Sequence, residues 1–595
     1  MQHRSVKYVL FISISTAIIL GITFLITGYI NNEGFNPSDD GVILAQSYRI
    51  INGEIPHTDF ISIVPVFSGI LHSIHFYSPF PLVVSGRIFA LIEYYIYSVL
   101  WVYLLMIIFL QGSRKDYFHI FLPLIIAAFL LNLNTYHLYP WTSIDGILFS
   151  MLGIFFYFKA KNLAKNPWKY FLFIIALICV SLGSLAKQSF IFTALFIYIV
   201  IILEFIKEKK MRMLPLVIIM GASPLIAYLT FLLINNNLSD FIQQITGRTE
   251  FFKTTIRMYV ITFVNSKLIV LYAFSIFILI FDFYSRRRNI INQKGWRAFL
   301  TFNNKKLLKY YISFITLITI FLSYWFILHD NYHSLPFEFF WIMLIVFFLS
   351  LYRRALSNKQ ILVCASGLIL VWSASISHEA NTPVYTSGIL VTCIIILIYN
   401  LLKQIGVFPL GLKFRLFLYV SVLVIMHGFF FAANYGQSKY NYRELSSKYL
   451  SKNLKDILPE FGDIKTNPNT YNYYADFINI FQKLNMKDKF VLLPNNAIIY
   501  PVLDSRNPFP IDWMQGTEFV DSEEKLLEMI SSVIETKNIY LVIDRFDSKE
   551  MAFGFKIKNY DELNYPYMKV IKNKCTKIPF NSKYFDIYKS KSDER

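Results

Sequence analysis

Charge is scarce in this chain: Asp, Glu, Lys and Arg make up 16% of its 595 residues, against 55% hydrophobic residues and 18% aromatics. Soluble globular proteins carry about a quarter of their residues as charges, so that class is excluded. Cysteine is scarcer still. Of four, Cys179, Cys364 and Cys393 fall in apolar runs and Cys575 stands alone near the end, which excludes a disulfide framework. No glycine-rich nucleotide loop is present, which argues against a nucleotide-linked substrate. Nor is there an internal repeat, where a transporter built from related halves would show one.

Long apolar runs are what the chain has in abundance. Segments of about 17 to 25 residues, the length an α-helix needs to cross a bilayer's hydrocarbon core, recur from Tyr8 to Asn434 and then stop. With a mean hydropathy of +0.47, this predicts an all-α polytopic transmembrane bundle over residues 1–435 and a soluble α/β domain over 436–595. The expected spans number about 13. They are Tyr8–Tyr29, Leu82–Leu110, Phe118–Asn134, Ser143–Phe158, Tyr170–Ala186, Phe190–Phe205, Leu214–Ile234, Val264–Tyr284, Tyr311–Leu328, Leu335–Leu351, Ile361–Ser377, Val384–Leu401 and Phe414–Asn434. The basic start, Met1 to Lys7, resembles a secretory signal. The apolar stretch after it is too long and has no small-x-small cleavage site before Asn31, so it reads as a retained first helix.

Charge asymmetry orients the bundle. With the N-terminus in the cytoplasm, basic clusters at Arg4 and Lys7, Arg114-Lys115, Lys159 to Lys169, Lys207 to Arg212, Arg286 to Lys309, Arg353 to Lys359 and Lys403 to Arg415 all fall inside. The opposite loops hold Arg49, Lys187, Arg248, Lys253 and Arg257. This is the division that the positive-inside rule predicts, and an odd number of spans then carries the C-terminal domain outside a cytoplasmic membrane. The net charge of +19 is mostly topology and calls for no nucleic acid.

Polar residues concentrate on the outer side. The first outer loop, 30–81, begins Asn36-Pro-Ser-Asp-Asp-Gly, placing Asp39 and Asp40 about ten residues beyond the first span, close to the bilayer surface. Val42, Ile43, Ala45, Ile50 and Ile51 then follow the spacing of a helix lying along the membrane. Gly53-Glu-Ile-Pro-His-Thr-Asp-Phe makes a turn, and Val64-Pro-Val-Phe-Ser-Gly-Ile-Leu starts a second apolar helix. The plain alternative is a structural cap over the bundle, with Asp39 serving only as a helix cap.

The run from Asp40 through Gly53-Glu-Ile-Pro-His-Thr-Asp-Phe and Val64-Pro-Val-Phe-Ser-Gly to Arg87 resembles the opening of the GT-C glycosyltransferases. These polytopic enzymes include the protein mannosyltransferases and the lipid A aminoarabinose transferases. Their usual pattern is an acidic residue after the first helix, then Gly-x-x-Pro-Tyr-x-Asp-Phe, then Pro-Pro-Gly. Here His57 stands where Tyr is common, ahead of Asp59, and Pro65-Val-Phe-Ser-Gly loosens the last motif. Leu182-Gly-Ser-Leu-Ala-Lys-Gln-Ser-Phe is similar to the family's Gly-x-x-x-Leu-x-Lys, and Asp145 matches an acid at the outer end of the fourth span. The resemblance covers the first 210 or so residues in detail and the whole chain in layout. It implies an inverting glycosyltransferase that takes a sugar from a polyprenyl-phosphate and passes it to a lipid, glycan or protein.

Such a transfer needs a base for the acceptor hydroxyl and cationic or metal groups for the departing phosphate. Asp40 is the candidate base. Asp39 is its neighbour, placed to orient it, bind metal or cap the helix. Lys187, between two spans on a face poor in cations, is the candidate phosphate ligand, with a structural pairing to Asp145 or Glu379 as the alternative. Arg248 and Arg257, in the outer loop Asn235 to Thr262, are further candidates, as is the turn His378-Glu379. Arg87 and Glu93 face the bundle, where buried ion pairs are commoner than catalysts. Outer histidines, among them His57, His72, His75, His137, His329 and His333, allow a divalent metal. His72 and His75 share a helical face by their i, i+3 spacing, but the sequence shows no third ligand.

In the tail, Tyr440–Leu458 and Tyr471–Leu484 read as helices, Phe490-Val-Leu-Leu-Pro and Ile539-Tyr-Leu-Val-Ile-Asp as strands, and Asp521-Ser-Glu-Glu as a capping box. Asp504, Arg506 and Asp512 are candidates for acceptor binding or simply for a surface loop. Three other classes stay open: an O-antigen-type polymerase or ligase, which would use arginines in a late outer loop; a flippase or exporter of lipid-linked saccharides; and a non-catalytic assembly protein on the same scaffold.

Overall fold

The computed structural model describes residues 32–110, 114–133, 138–163, 168–246, 250–275, 277, 304–328, 334–376, 382–404, 412–431, 444–445, 447–514, 523–546 and 567–591. The expected first span, Tyr8–Tyr29, lies outside the described residues, as do residues 276 and 278–284 of Val264–Tyr284. Among the described residues, seven helices are long and apolar enough to cross a membrane, or nine if each of two bent pairs is one span. The protein is a multi-pass membrane protein.

The spans that position the site follow the apolar runs closely. They are α1 (Leu82–Phe109), α2 (Thr142–Lys161), α3 (Trp168–Ala186) and α4 (Ile191–Lys207). At about 1.5 Å per residue the 28 residues of α1 reach about 42 Å, about 12 Å more than the hydrocarbon core. The helix can therefore carry Ser85 and Arg87 in its first turns and still span. Between α2 and α3 the packing is close because lipid gives helices no hydrophobic reason to associate and small residues let backbones approach. A Cβ on Gly183 would lie 2.8 Å from Ser150 Oγ and 3.3 Å from the Gly146 carbonyl. That closeness brings the start of α2 beside the end of α3, and with them Ser143 beside Lys187.

Two expected spans turn out broken. Leu214–Ile234 is two helices, Leu214–Gly221 and Ser223–Ile234, meeting at 52°. Pro224, at the first turn of the second, cannot donate the bond that would continue the first. The outer loop expected at Asn235–Thr262 is largely helical, as Leu238–Thr246 and Glu250–Val264, and the chain bends by 87° after Val264. At the centre of the bundle, Ser387–Gln404 is buried along most of its length. It is held where Trp101 Nε1 donates to the Ile389 carbonyl (3.1 Å) and Asn132 Oδ1 accepts from Gly388 N (2.8 Å).

The C-terminal region carries a four-stranded sheet in the order β1 (Phe490–Leu493), β2 (Tyr540–Asp544), β4 (Phe585–Ser590), β3 (Cys575–Ile578), with β1 and β2 parallel and the other pairs antiparallel. Both faces are covered, which is why Phe490-Val-Leu-Leu has no polar alternation. Phe490 and Leu492 pack under Tyr473, Phe477 and Ile587, while Val491 and Leu493 pack under Phe509, Ile530 and Ile571. The expected helix Tyr471–Leu484 is Pro468–Lys483, capped by Asn467. Tyr440–Leu458, by contrast, is no helix in its described part: Ser447–Tyr449 and Leu454–Asp456 are 3-10 turns around a short strand at Lys452–Asn453. That strand pairs with Lys465–Thr466, and Asn453 caps the second turn through Lys455 N. The capping box at Asp521 falls outside the described residues; its helix, Glu523–Thr536, is present.

The loop ahead of α1 is the seam between the bundle and the C-terminal sheet region. Its helix, α0 (Val42–Ile51), is buried on most sides rather than floating on a bilayer surface. A Cβ on Gly41 would sit 2.2 Å from the Ile498 backbone nitrogen, so glycine is required there. Ile498 N donates to the Pro37 carbonyl (3.2 Å), and Ile61 N to that of Pro510 (2.7 Å). Arg49 binds Asp512 through Nε and Nη2 (2.8 and 2.9 Å), the Phe509 carbonyl (2.6 Å) and Glu54 (2.6 Å). Tyr48 donates to Asp504 (2.9 Å), which also takes Lys487 (3.0 Å). Asp504 and Asp512, candidates for acceptor binding, thus serve to dock the domain.

Candidate functional site

Asp40 closes the turn 37–40 ahead of α0, and it is buried with 2% exposure. Its carboxylate is held from two sides. Arg87, one turn into α1, donates Nε to Oδ1 (2.9 Å) and Nη2 to Oδ2 (2.7 Å), and the Asn36 backbone nitrogen donates to Oδ2 (3.1 Å). Arg87 Nη2 also reaches the Gly34 carbonyl (2.9 Å). This forked, charge-assisted geometry is the strongest kind of pairing available to a carboxylate, and it fixes the turn to the top of α1. Asp39 is buried beside it and accepts from Asn36 Nδ2. The residue flanking the helix start is Gly41, with no side-chain cap bond, so Asp39 belongs to an Asn36-centred turn rather than to a helix cap.

A second polar cluster lies on the next turns of α1. The loop helix Phe67–His72 and the turn after it present His72 and His75. His72 Nδ1 faces His75 Nε2 (2.8 Å), His75 Nδ1 faces Ser85 Oγ (2.9 Å), and His72 Nε2 faces Asp145 Oδ1 (3.1 Å). Glu93 completes the group: ligand atoms of His72, Glu93 and Asp145 all lie within 4.8 Å of one another. Exposure is 0% for His72 and Asp145 and 1% for Glu93. Asp145 Oδ2 and both Glu93 oxygens have no hydrogen-bond partner among the described residues. Burial pushes the His75 imidazole down to about 3, so it serves this chain as a neutral ring.

Lys187 forms the far end of the seam. It sits in an extended residue between α3 and α4, is 9% exposed, and donates Nζ to Ser143 Oγ at 2.8 Å. Burial alone pulls its ammonium down to about 7. Ser143 and Asp145 share the first turn of α2, so Lys187 stands close along the chain to the His72 cluster without an ion pair of its own among the described residues. Nearby, Gln188 donates to the Ile63 carbonyl (2.9 Å), while Gln188 Oε1, Ser189 Oγ and Ser68 Oγ are buried with no partner among the described residues.

The other candidates are dispersed. His57 has a left-handed backbone (φ 67°) and packs with Nδ1 against Gln244 Oε1 and Nε2 against the Tyr228 hydroxyl, both at 2.8 Å. Burial lowers its imidazole too, and it latches the loop to the second half of the broken span and to the helix Leu238–Thr246 that follows it. Asp59 is an exposed turn residue accepting from Ile55 N (2.7 Å). Arg257 is exposed on Glu250–Val264. Arg248, His378 and Glu379 lie outside the described residues, as do His137, His329 and His333.

The sequence brought out Asp40, Lys187, Asp145 and the His72/His75 spacing singly. It missed that Arg87 grips Asp40 and that Ser143 is the partner of Lys187. The third and fourth members of the histidine cluster, Glu93 and Asp145, come from different helices, so no local spacing signals them.

The fold and site thus define a multi-pass membrane protein whose C-terminal α/β region packs beside a buried seam of ionisable groups. No family model matches the chain, and no curated protein does. Among solved structures, it is similar to the crystal structure of ArnT from Cupriavidus metallidurans in the apo state, with 97% of this chain and 98% of that chain covered, 9% sequence identity and a TM-score of 0.39. ArnT is an aminoarabinose transferase, a GT-C enzyme. A score that low carries no argument about the site.

Proposed function

We propose that this protein is an integral membrane glycosyltransferase of the GT-C type. It moves a sugar from a polyprenyl-phosphate to a lipid, glycan or protein acceptor on the outer face of the cytoplasmic membrane. The observation that carries the reading is Lys187: a buried ammonium whose partner is a serine hydroxyl. Holding a charge there costs solvation that a hydroxyl does not return, and a phosphate monoanion would return it. The buried, unpartnered hydroxyls of Ser68 and Ser189 are neutral donors suited to the same anion. The charge asymmetry of the loops supports an outer site, and the motifs around Asp40 and Lys187 support the chemical class.

In this reading Asp40 is the general base. Arg87 orients it, and Oδ1, which accepts from Arg87 Nε, keeps a second lone pair for the acceptor hydroxyl. Asp39 holds the turn. Lys187 keeps the departing phosphate in place and offsets its charge.

The test compares wild type with Asp40→Asn in membranes supplied with labelled polyprenyl-phosphate sugars. General-base loss costs about 10²–10⁴ in rate; because Asp40→Asn also leaves the buried Arg87 beside a neutral partner, the rate is read per folded molecule, with thermal stability measured alongside. Undiminished transfer by the variant removes Asp40 from the chemistry. Absence of transfer from every such donor by wild type favours the transport or scaffold classes.

A further inference from the structure

The transferase reading leaves the cluster of His72, Glu93 and Asp145 without a role, and its charges do not balance. Two carboxylates face each other in the interior, and no lysine or arginine pairs with either among the described residues. Buried charges persist when they are paired or coordinate a metal. We propose that His72, Glu93 and Asp145 bind one first-row divalent cation of the Zn²⁺ or Mn²⁺ kind, which clasps the first outer loop to α1 and α2.

The donor set fits that chemistry. One imidazole nitrogen and two carboxylates suit first-row cations, whereas an all-oxygen set would suit Mg²⁺ or Ca²⁺. Bonds of about 2.0–2.2 Å put neighbouring ligands about 3.4 Å apart in a tetrahedron, and His72 Nε2 and Asp145 Oδ1 already stand 3.1 Å apart. The remaining ligand atoms, within 4.8 Å, need to close by little more than an ångström. The charge sum of two carboxylates, one neutral imidazole and one divalent cation is zero, which suits a site of 0–1% exposure.

The groups behind His72 are arranged as metal-bound histidines require. A ligating imidazole donates its other ring N–H to a fixed acceptor, which sets its tautomer. Here His72 Nδ1–H would donate to His75 Nε2, and His75 Nδ1–H to Ser85 Oγ, along the two contacts of 2.8 and 2.9 Å. Without a cation the same chain runs the other way, with His72 Nε2–H donating to Asp145. The ligands come from three elements, the loop helix, α1 and α2, so one ion ties the loop that carries Asp40 to two spans. Bidentate binding by Glu93, both of whose oxygens lack a partner among the described residues, supplies the fourth donor, and full burial keeps substrate away, so the role is structural.

The test is metal content of untagged protein purified in detergent without chelator, with Co²⁺ added to chelated protein as a spectroscopic probe. Expected are about one Zn²⁺ or Mn²⁺ per chain, visible ligand-field bands from Co²⁺, and a lower melting temperature in EDTA that either metal restores. His72→Ala and Glu93→Gln should abolish retention. His75→Ala should keep the stoichiometry at saturation and weaken affinity about 10–100-fold. Metal no higher than in Glu93→Gln, with a melting temperature indifferent to EDTA, overturns the proposal and makes the cluster a carboxyl pair sharing protons. Should a variant fail to fold, the Co²⁺ titration of wild type decides alone: bands support the site and their absence contradicts it. No substrate enters this experiment, so its failure would leave the transferase reading untouched.

Discussion

Two buried ionic centres lie six residues apart on α1, and they differ in completeness. At Arg87 a guanidinium meets one carboxylate, with a backbone amide and a carbonyl filling further positions. At Glu93 two carboxylates meet an imidazole, and three carboxylate oxygens have no partner among the described residues. Lys187 is the inverse case, a cation offered only a hydroxyl. The contrast separates a centre whose charge the protein already balances from centres whose charge it does not: at Arg87 the balance is complete, and the other two call for ions.

Substitution at the two carboxylate centres should therefore give opposite results. Arg87→Leu strands a buried Asp40 and should cost about 3–5 kcal/mol, read by thermal or denaturant unfolding in detergent. Glu93→Gln in chelated protein removes one of two like charges and should leave stability unchanged or raised. Equal losses in the two variants would erase the distinction.

A smaller effect is expected from pH at Lys187. Its folded value of about 7 lies below the usual value of about 10.4, so from about pH 7 to 10 the unfolded chain binds more protons and stability rises with pH. Binding of an anionic donor runs the other way. As pH climbs above about 7 the ammonium discharges and donor KM should rise, by up to about tenfold per unit. Lys187→Arg, which stays charged, should flatten that profile; a wild-type KM flat from pH 6 to 9 would contradict the assignment.

The smallest change belongs to the docking face. Tyr48→Phe deletes one part-buried bond to Asp504 and should cost about 1 kcal/mol, without altering donor KM. A KM effect would mean that the seat of the C-terminal region also shapes the site.

Apolar run length placed the spans well because burial in lipid is a one-dimensional property. It failed at Pro224, where a missing amide donor splits a run, and at Leu238–Thr246 and Glu250–Val264, where amphipathic helices look like loop. In the tail, Phe490–Leu493 was legible because both its faces are buried. Tyr440–Leu458 was not, because pairing with Lys465–Thr466 overrides its helical pattern. At the site, loop position singled out Asp40 and charge scarcity singled out Lys187. The grip of Arg87 and the meeting of His72 with Glu93 and Asp145 depend on which helix faces pack together, and a single sequence does not encode that in its spacing.

The central claim is that Lys187 holds a lipid-linked phosphate. Native mass spectrometry of the detergent-solubilised protein with a short-chain polyprenyl monophosphate tests it most directly. Wild type should retain the lipid at pH 6.5, and Lys187→Met should lose at least about tenfold in affinity, in line with the loss of one charge-assisted contact. Equal retention by the two proteins would contradict the account.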